Sequence, residues 1–97
     1  MTRRLTLTPR AEHDLDEIWR YTRTEFGAAQ AAAYLRRLGV AMEGLCGTPF
    51  SAPEVSEVGG GVRKKSIGAH RLFYKVDDAA VIVLRVLHAR MDIDDLG

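Results

Sequence analysis

The sequence predicts an α+β fold in the order β-α-α-β-β-β, an N-terminal helical hairpin packed on a small, mainly antiparallel sheet. Three observations predict it. Apolar residues recur at three- and four-residue steps through two successive segments, 9–26 and 28–45, the period of a helix with one buried face. The stretch 62–88 changes to short apolar runs separated by turn pairs, the pattern of strands. Between them, Pro49 to Gly61 carries two prolines and three consecutive glycines and suits neither.

Taken in order, Arg4 to Thr8 reads as a short strand in which Leu5 and Leu7 alternate with threonines. Thr8-Pro9 then starts a helix, because threonine is a favoured N-cap and proline is tolerated at the first helical position. Glu12, Asp14, Asp16 and Glu17 follow in its first two turns, where the helix dipole favours acids. Ala11, Leu15, Ile18, Trp19, Thr22 and Phe26 share the inward face, and Gly27 is the expected stop. The second helix runs from about Ala28 to Leu45, with Ala31, Tyr34, Leu35, Leu38, Met42 and Leu45 inward. So short a junction at Gly27 makes the pair an antiparallel hairpin, about 9–46. Strands are expected over Val62 to Ile67, Arg71 to Val76 and Ala80 to Leu87. Gly68-Ala69 forms the first turn and Asp77-Asp78-Ala79 the second. The last strand is apolar on both faces except Arg85, as a central strand would be. A tail, 89–97, follows this meander of about 62–88. One face of the sheet is expected under the helices and the other partly open to a partner.

With 97 residues the chain makes a single domain over 1–97, and its 46% hydrophobic and 28% charged composition is that of an ordinary globular protein. No segment approaches the roughly 18 apolar residues of a membrane span, so no membrane is expected as a partner. The first residues carry two arginines but no continuous apolar run, so no secretory signal is expected. Cys46 is the one cysteine, which fits a reducing cytoplasm and reads as a small buried hydrophobe at a helix end. Net charge is only +1, yet its distribution is uneven. Seven basic residues (Arg63, Lys64, Lys65, Arg71, Lys75, Arg85, Arg90) lie between 63 and 90 against two acids, Asp77 and Asp78. That half offers a cationic surface to an acidic protein or a phosphate backbone.

Other chemistries are poorly supplied. Gly59-Gly60-Gly61 lacks the Lys-Ser/Thr and helix of a phosphate loop. Histidine and cysteine are too few and scattered for zinc, and no cofactor or metal is expected. His13 lies on the acidic first helix and reads as solvated. His70 follows a tight turn and reads as structural. His88 ends the last strand, where its side chain would face the open sheet surface or anchor the tail.

Order and residues together resemble the ParE toxins of the RelE/ParE superfamily over essentially the whole chain. Leu7-Thr8-Pro9-Arg10-Ala11, Asp14-Leu15 and Glu17-Ile18-Trp19 resemble the family's first helix. Gly27, Gln30-Ala31 and Tyr34-Leu35 resemble its second, and Pro49 and Pro53 its loop prolines. Gly61-Val62-Arg63, Gly68-Ala69-His70 and Phe73-Tyr74 match its central hairpin. Arg85-Val86-Leu87-His88 with Arg90-Met91-Asp92 is the most specific piece.

The resemblance implies the toxin of a type II toxin–antitoxin pair that inhibits DNA gyrase by binding. It also implies a ParD-like antitoxin in a hetero-oligomer, operator DNA being reached only through that partner. The target-contact candidates are the tail and its cationic surroundings: Arg63, Arg71, Arg85, His88, Arg90, Met91 and Asp92. The antitoxin candidates are Trp19, Ala28, Ala31, Ala32 and Leu35, since small residues on the hairpin permit close approach, though the same alanines equally serve to pack the two helices together. Asp92, Asp94 and Asp95 alternatively pin the C-terminus to nearby arginines. No enzymatic activity is expected. A first alternative is a RelE-like ribosome-dependent mRNA endonuclease, for which His88, Arg71 and Lys64 are the candidate set. A second is a non-toxic relative acting mainly in a repressor complex with its antitoxin.

Overall fold

A computed structural model describes residues 3–91. The elements are β1 (Arg4–Leu7), α1 (Pro9–Phe26), α2 (Ala28–Leu45), β2 (Arg63–Ile67), β3 (His70–Val76) and β4 (Ala80–His88). The predicted order holds. The strand order is β1-β4-β3-β2, with β1 parallel to β4 and the other pairings antiparallel. β4 is therefore central, as its two-sided apolar sequence requires.

β1 ends one residue early because Thr8 has another task. Its Oγ1 accepts the Ala11 N–H at 3.1 Å, capping α1, and donates to the Leu84 carbonyl at 2.8 Å. Its backbone N–H bonds the Val83 carbonyl at 3.0 Å. Gly27, at φ 91°, closes α1 by bonding Arg23 and opens α2 by accepting from Ala31. That reversal in one residue folds α2 back along α1.

Tyr74 pairs with Val83 while Phe73 pairs with Arg85, leaving Leu84 as a bulge. The extra residue reverses the phase of β4. Val81 and Val83 face the helices before it, and Val86 faces them after it. The main core thus joins Ala11, Ile18, Leu38, Met42 and Leu45 to Leu72, Tyr74 and these valines. Cys46, at the end of α2, is a buried free thiol whose pKa burial pushes up, with Glu43 adding to the rise.

The face away from the helices is less open than expected. The connection 48–62 folds over it, and Val55 and Val62 bury Phe73 and Leu87 in a second small core. Phe26, expected inward, is 59% exposed at the end of α1.

Gly68 makes the β2–β3 turn at φ 55°, and a Cβ there would lie 2.9 Å from the Tyr34 ring and hydroxyl. Gly68→Ala is therefore expected to lose about 2–3 kcal/mol, from left-handed strain plus crowding. Urea denaturation measures it, and a loss below 1 kcal/mol would show that Tyr34 swings away freely.

Candidate functional site

A cleft of about 1020 Å³ opens between the helical hairpin and the ends of β3 and β4. Helical spacing builds its wall: Ile18, Tyr21 and Thr22 from α1, then Phe26 at the corner, then Gln30, Ala33, Tyr34 and Arg37 from α2. His70, Val86, His88 and Met91 supply the sheet side. Three of these apolar residues stay largely in solvent, Tyr21 at 61%, Phe26 at 59% and Met91 at 45%. A cluster of such side chains around a concave surface is the signature of a partner site rather than of scattered surface apolarity.

Two histidines are fixed at the sheet end. The Tyr34 hydroxyl accepts the Ala69 N–H at 3.1 Å and shares a 2.6 Å hydrogen bond with His70 Nδ1. His88 Nδ1 accepts the Arg90 N–H at 3.0 Å. With Nδ1 accepting, a neutral His88 ring carries its proton on Nε2. The two rings meet edge to face with centroids 5.4 Å apart.

Burial, and secondarily His88, lowers the His70 pKa below its ordinary value. The unfolded chain then binds the extra proton first as pH falls. The His70 contribution is complete above about 6.5 and declines below it towards the lowered folded value. Stability is expected to fall from pH 7 to pH 5, with a shallower fall in His70→Gln. Urea midpoints across that range check it, and equal slopes in the two proteins would exclude His70 as the cause.

The sequence-predicted site residues separate into different places. Arg85 is not a surface cation: with 12% of its side chain exposed, it holds Asp14, 11% exposed, at 2.8 Å. A second contact from Nη2 measures 3.0 Å, and Asp14 Oδ2 also accepts the Val86 N–H at 2.9 Å. Arg63 is committed to the connection 48–62, donating to the Ala52 carbonyl at 2.6 Å. It also stacks with Arg3 on the Phe50 ring, the guanidiniums 5.1 and 5.3 Å from its centroid.

His88 does not face the open side of the sheet. Its cross-strand partner His70 is paired in turn with Ile67, which packs on the main core, so all three share the helix side. Lys64 pairs with Phe73, and Arg71 with Leu87, on the other side. The structure therefore does not bring His88, Arg71 and Lys64 together. Arg90 is exposed and Met91 lines the cleft, whereas Asp92, Asp94 and Asp95 lie outside the described residues.

Of the antitoxin candidates, Ala31 is wholly buried and is hairpin packing. Trp19, Ala32 and Leu35 are half-buried and Ala28 is exposed. Ala33, one of the small hairpin residues that permit close approach, does line the cleft; Tyr21, Phe26 and Tyr34, read from the sequence as packing residues, line it as well. Tyr21, an aromatic off the predicted core face, was the available signal. Among the described residues no group of three or more potential metal ligands occurs, and no helix is long and apolar enough to cross a membrane.

Residues 5–93 match the profile of the family described as the ParE toxin of type II toxin–antitoxin system, parDE. The protein named Toxin ParE1 from Mycobacterium tuberculosis is 42% identical over 95 residues, covering 97% of each chain. A chain of the chromosomal ParDE toxin–antitoxin system from P. aeruginosa superposes with a TM-score of 0.78 at 18% identity, over 90% of this chain and 96% of that one. A chain of the toxin–antitoxin complex RelBE2 from Mycobacterium tuberculosis gives 0.65 at 23% identity, over 91% and 99%. Those two structural likenesses speak to the fold alone.

Proposed function

The chain belongs to the ParE family of toxins of type II toxin–antitoxin systems, and from that premise we propose that it inhibits DNA gyrase by binding and is neutralised by a ParD-like antitoxin. On this reading the antitoxin seats an apolar segment in the cleft, and the complex reaches operator DNA through the antitoxin, in the cytoplasm. The single observation that carries the antitoxin site is the exposure of Tyr21, Phe26 and Met91 around one concave surface. Exposed apolar anchors at a cleft centre are where binding energy concentrates. For the target, family membership supports gyrase. The separation of His88 from Arg71 and Lys64 by the thickness of the sheet favours binding over strand cleavage by that set.

Purified toxin titrated into a gyrase supercoiling assay, beside a translating-ribosome mRNA cleavage assay, tests the target. Inhibited supercoiling with intact mRNA supports gyrase. Cleaved mRNA with unaffected gyrase overturns it, and activity in neither assay points to the repressor-only reading. For the cleft, Tyr21→Ala combined with Phe26→Ala is expected to weaken antitoxin binding at least about thirtyfold, at an unchanged melting temperature. Calorimetric titration reads this, and undiminished affinity would move the antitoxin to another surface.

A further inference from the structure

We infer that the sheet side opposite the helices, formed by the strand cations together with the connection 48–62 that covers Phe73 and Leu87, is a contact surface for the phosphate backbone of duplex DNA, engaged by the toxin itself. The inference is independent of the gyrase reading. Its first support is the register. Thr6 pairs with Ile82 and Ile82 with Lys75, while Lys64 pairs with Phe73 and Arg71 with Leu87. Alternation from these positions sets Arg4, Lys75, Lys64 and Arg71 on the one face that Phe73 and Leu87 define. From strand spacing and rise, Lys64 lies about 8 Å from Lys75 and from Arg71, and Arg4 about 12 Å from Lys75. The four cations trace an arc of roughly 20 Å, a span over which a duplex presents on the order of twelve phosphates.

None of the four forms an ion pair among the described residues, where the pairs are His13–Glu17, Arg20–Asp16 and Arg85–Asp14. The strands contribute no acid to this face. The acids nearest it, Glu54 and Glu57 on the covering connection and Asp77 and Asp78 at the β3–β4 turn, lie at its borders. Asp77 already accepts the Ala79 and Ala80 N–H groups.

The second support is the glycine run. Gly59, Gly60 and Gly61 all have positive φ, 72°, 64° and 75°. Gly59 N–H bonds the Val55 carbonyl, while the N–H groups of Gly60 and Gly61 have no partner among the described residues. Lys75 Nζ lies beside this turn, 3.4 Å from where a Gly60 Cβ would stand. The lysine that the sequence does not place after the glycines is thus supplied in space by β3. Two free amides and an ammonium offer a phosphate both hydrogen bonds and charge, beside the Glu54 carboxylate, whose Oε1 lies 4.0 Å from where a Gly61 Cβ would stand.

An acidic protein is the poorer occupant. Protein interfaces take their energy from buried apolar or aromatic anchors. On the strands the large apolar side chains are already used: Phe73 and Leu87 lie beneath Val55 and Val62, and the exposed Phe50 and Val58 belong to the covering connection, Phe50 carrying the guanidiniums of Arg3 and Arg63 on its ring. A phosphate backbone is bound by charge alone, without sequence preference.

The test is fluorescence anisotropy of the purified full-length chain with a labelled 20-base-pair duplex, titrated at several KCl concentrations. Four phosphate contacts predict a slope of log Kd on log salt of about 3.6, roughly a hundredfold loss between 50 and 200 mM. Lys64→Gln combined with Lys75→Gln should reduce the slope by about two, and Arg23→Gln on α1 with Arg36→Gln on α2, both exposed and outside the cleft, should leave it unchanged. Circular dichroism melting confirms that both variants are folded. Absence of salt-dependent binding, or a slope unaffected by Lys64 and Lys75, overturns the inference. So does tighter binding of poly-glutamate or of a single-stranded RNA 20-mer at the same residues.

Discussion

Asp14→Ala is expected to lower the unfolding free energy by about 3–5 kcal/mol, a large share of what a domain of this size possesses. The reason lies in how many groups one carboxylate serves. It takes two bonds from Arg85, at 2.8 and 3.0 Å, and one from the Val86 N–H at 2.9 Å. Removing it takes two bonds from a guanidinium that is 12% exposed and the acceptor from the Val86 N–H. Both were stripped of water when α1 closed on β4, and neither regains it easily. The pair itself is not expected to add much net stability, because desolvating two charges offsets most of their attraction. Asp14→Leu with Arg85→Met separates these statements: it should recover most of the loss, since no buried charge is left alone. Urea denaturation measures all three proteins. A single variant costing under 1 kcal/mol would mean that Arg85 reaches solvent or another carboxylate.

That ion pair also marks where sequence reasoning stopped. Its members are 71 residues apart, and neither carries a local signal of the other. Arg85 in an otherwise apolar strand reads equally as a functional cation or a buried partner. The elements were far more legible, because period, capping and turns are local. Thr8-Pro9, Gly27 and Gly68-Ala69 each force a particular backbone, and the structure places a boundary at each. What escaped were consequences of register. The bulge at Leu84 changes which face each later residue of β4 takes, and it leaves no mark in a run that is apolar from Ala80 to Leu84. With it went the side on which His88 lies, and hence its separation from Arg71 and Lys64. The cleft was half visible. Its alanines and aromatics were noticed, but Phe26, assigned to the core, is 59% exposed, and Tyr34, which does pack against the core, also lines the cleft.

The connection 48–62 was read as merely irregular, and Tyr74 shows how it is held. The side chain is fully buried, and its hydroxyl donates to the Pro49 carbonyl at 2.8 Å. Burial keeps that hydroxyl above its usual pKa, so it remains a donor well past neutral pH. Tyr74→Ala is expected to lose about 3–5 kcal/mol, the range for removing a large aromatic from a core. Tyr74→Phe keeps the ring and removes only the bond, leaving a buried carbonyl unpaired for about 1–3 kcal/mol. The two variants also differ in where the loss appears. In Tyr74→Phe, hydrogen exchange should quicken at Val55, whose N–H bonds Val62 at 2.7 Å, and at Lys64, whose N–H bonds Pro53 at 3.1 Å. Amides within α1 and α2 should exchange as before, because local opening of the connection leaves the hairpin packed. Such a pattern makes one hydroxyl, on the helix side of the sheet, the fastening for a segment whose valines and glycines act on the other side. Unchanged exchange at Val55 would instead give that role to Arg63 and its bond to the Ala52 carbonyl.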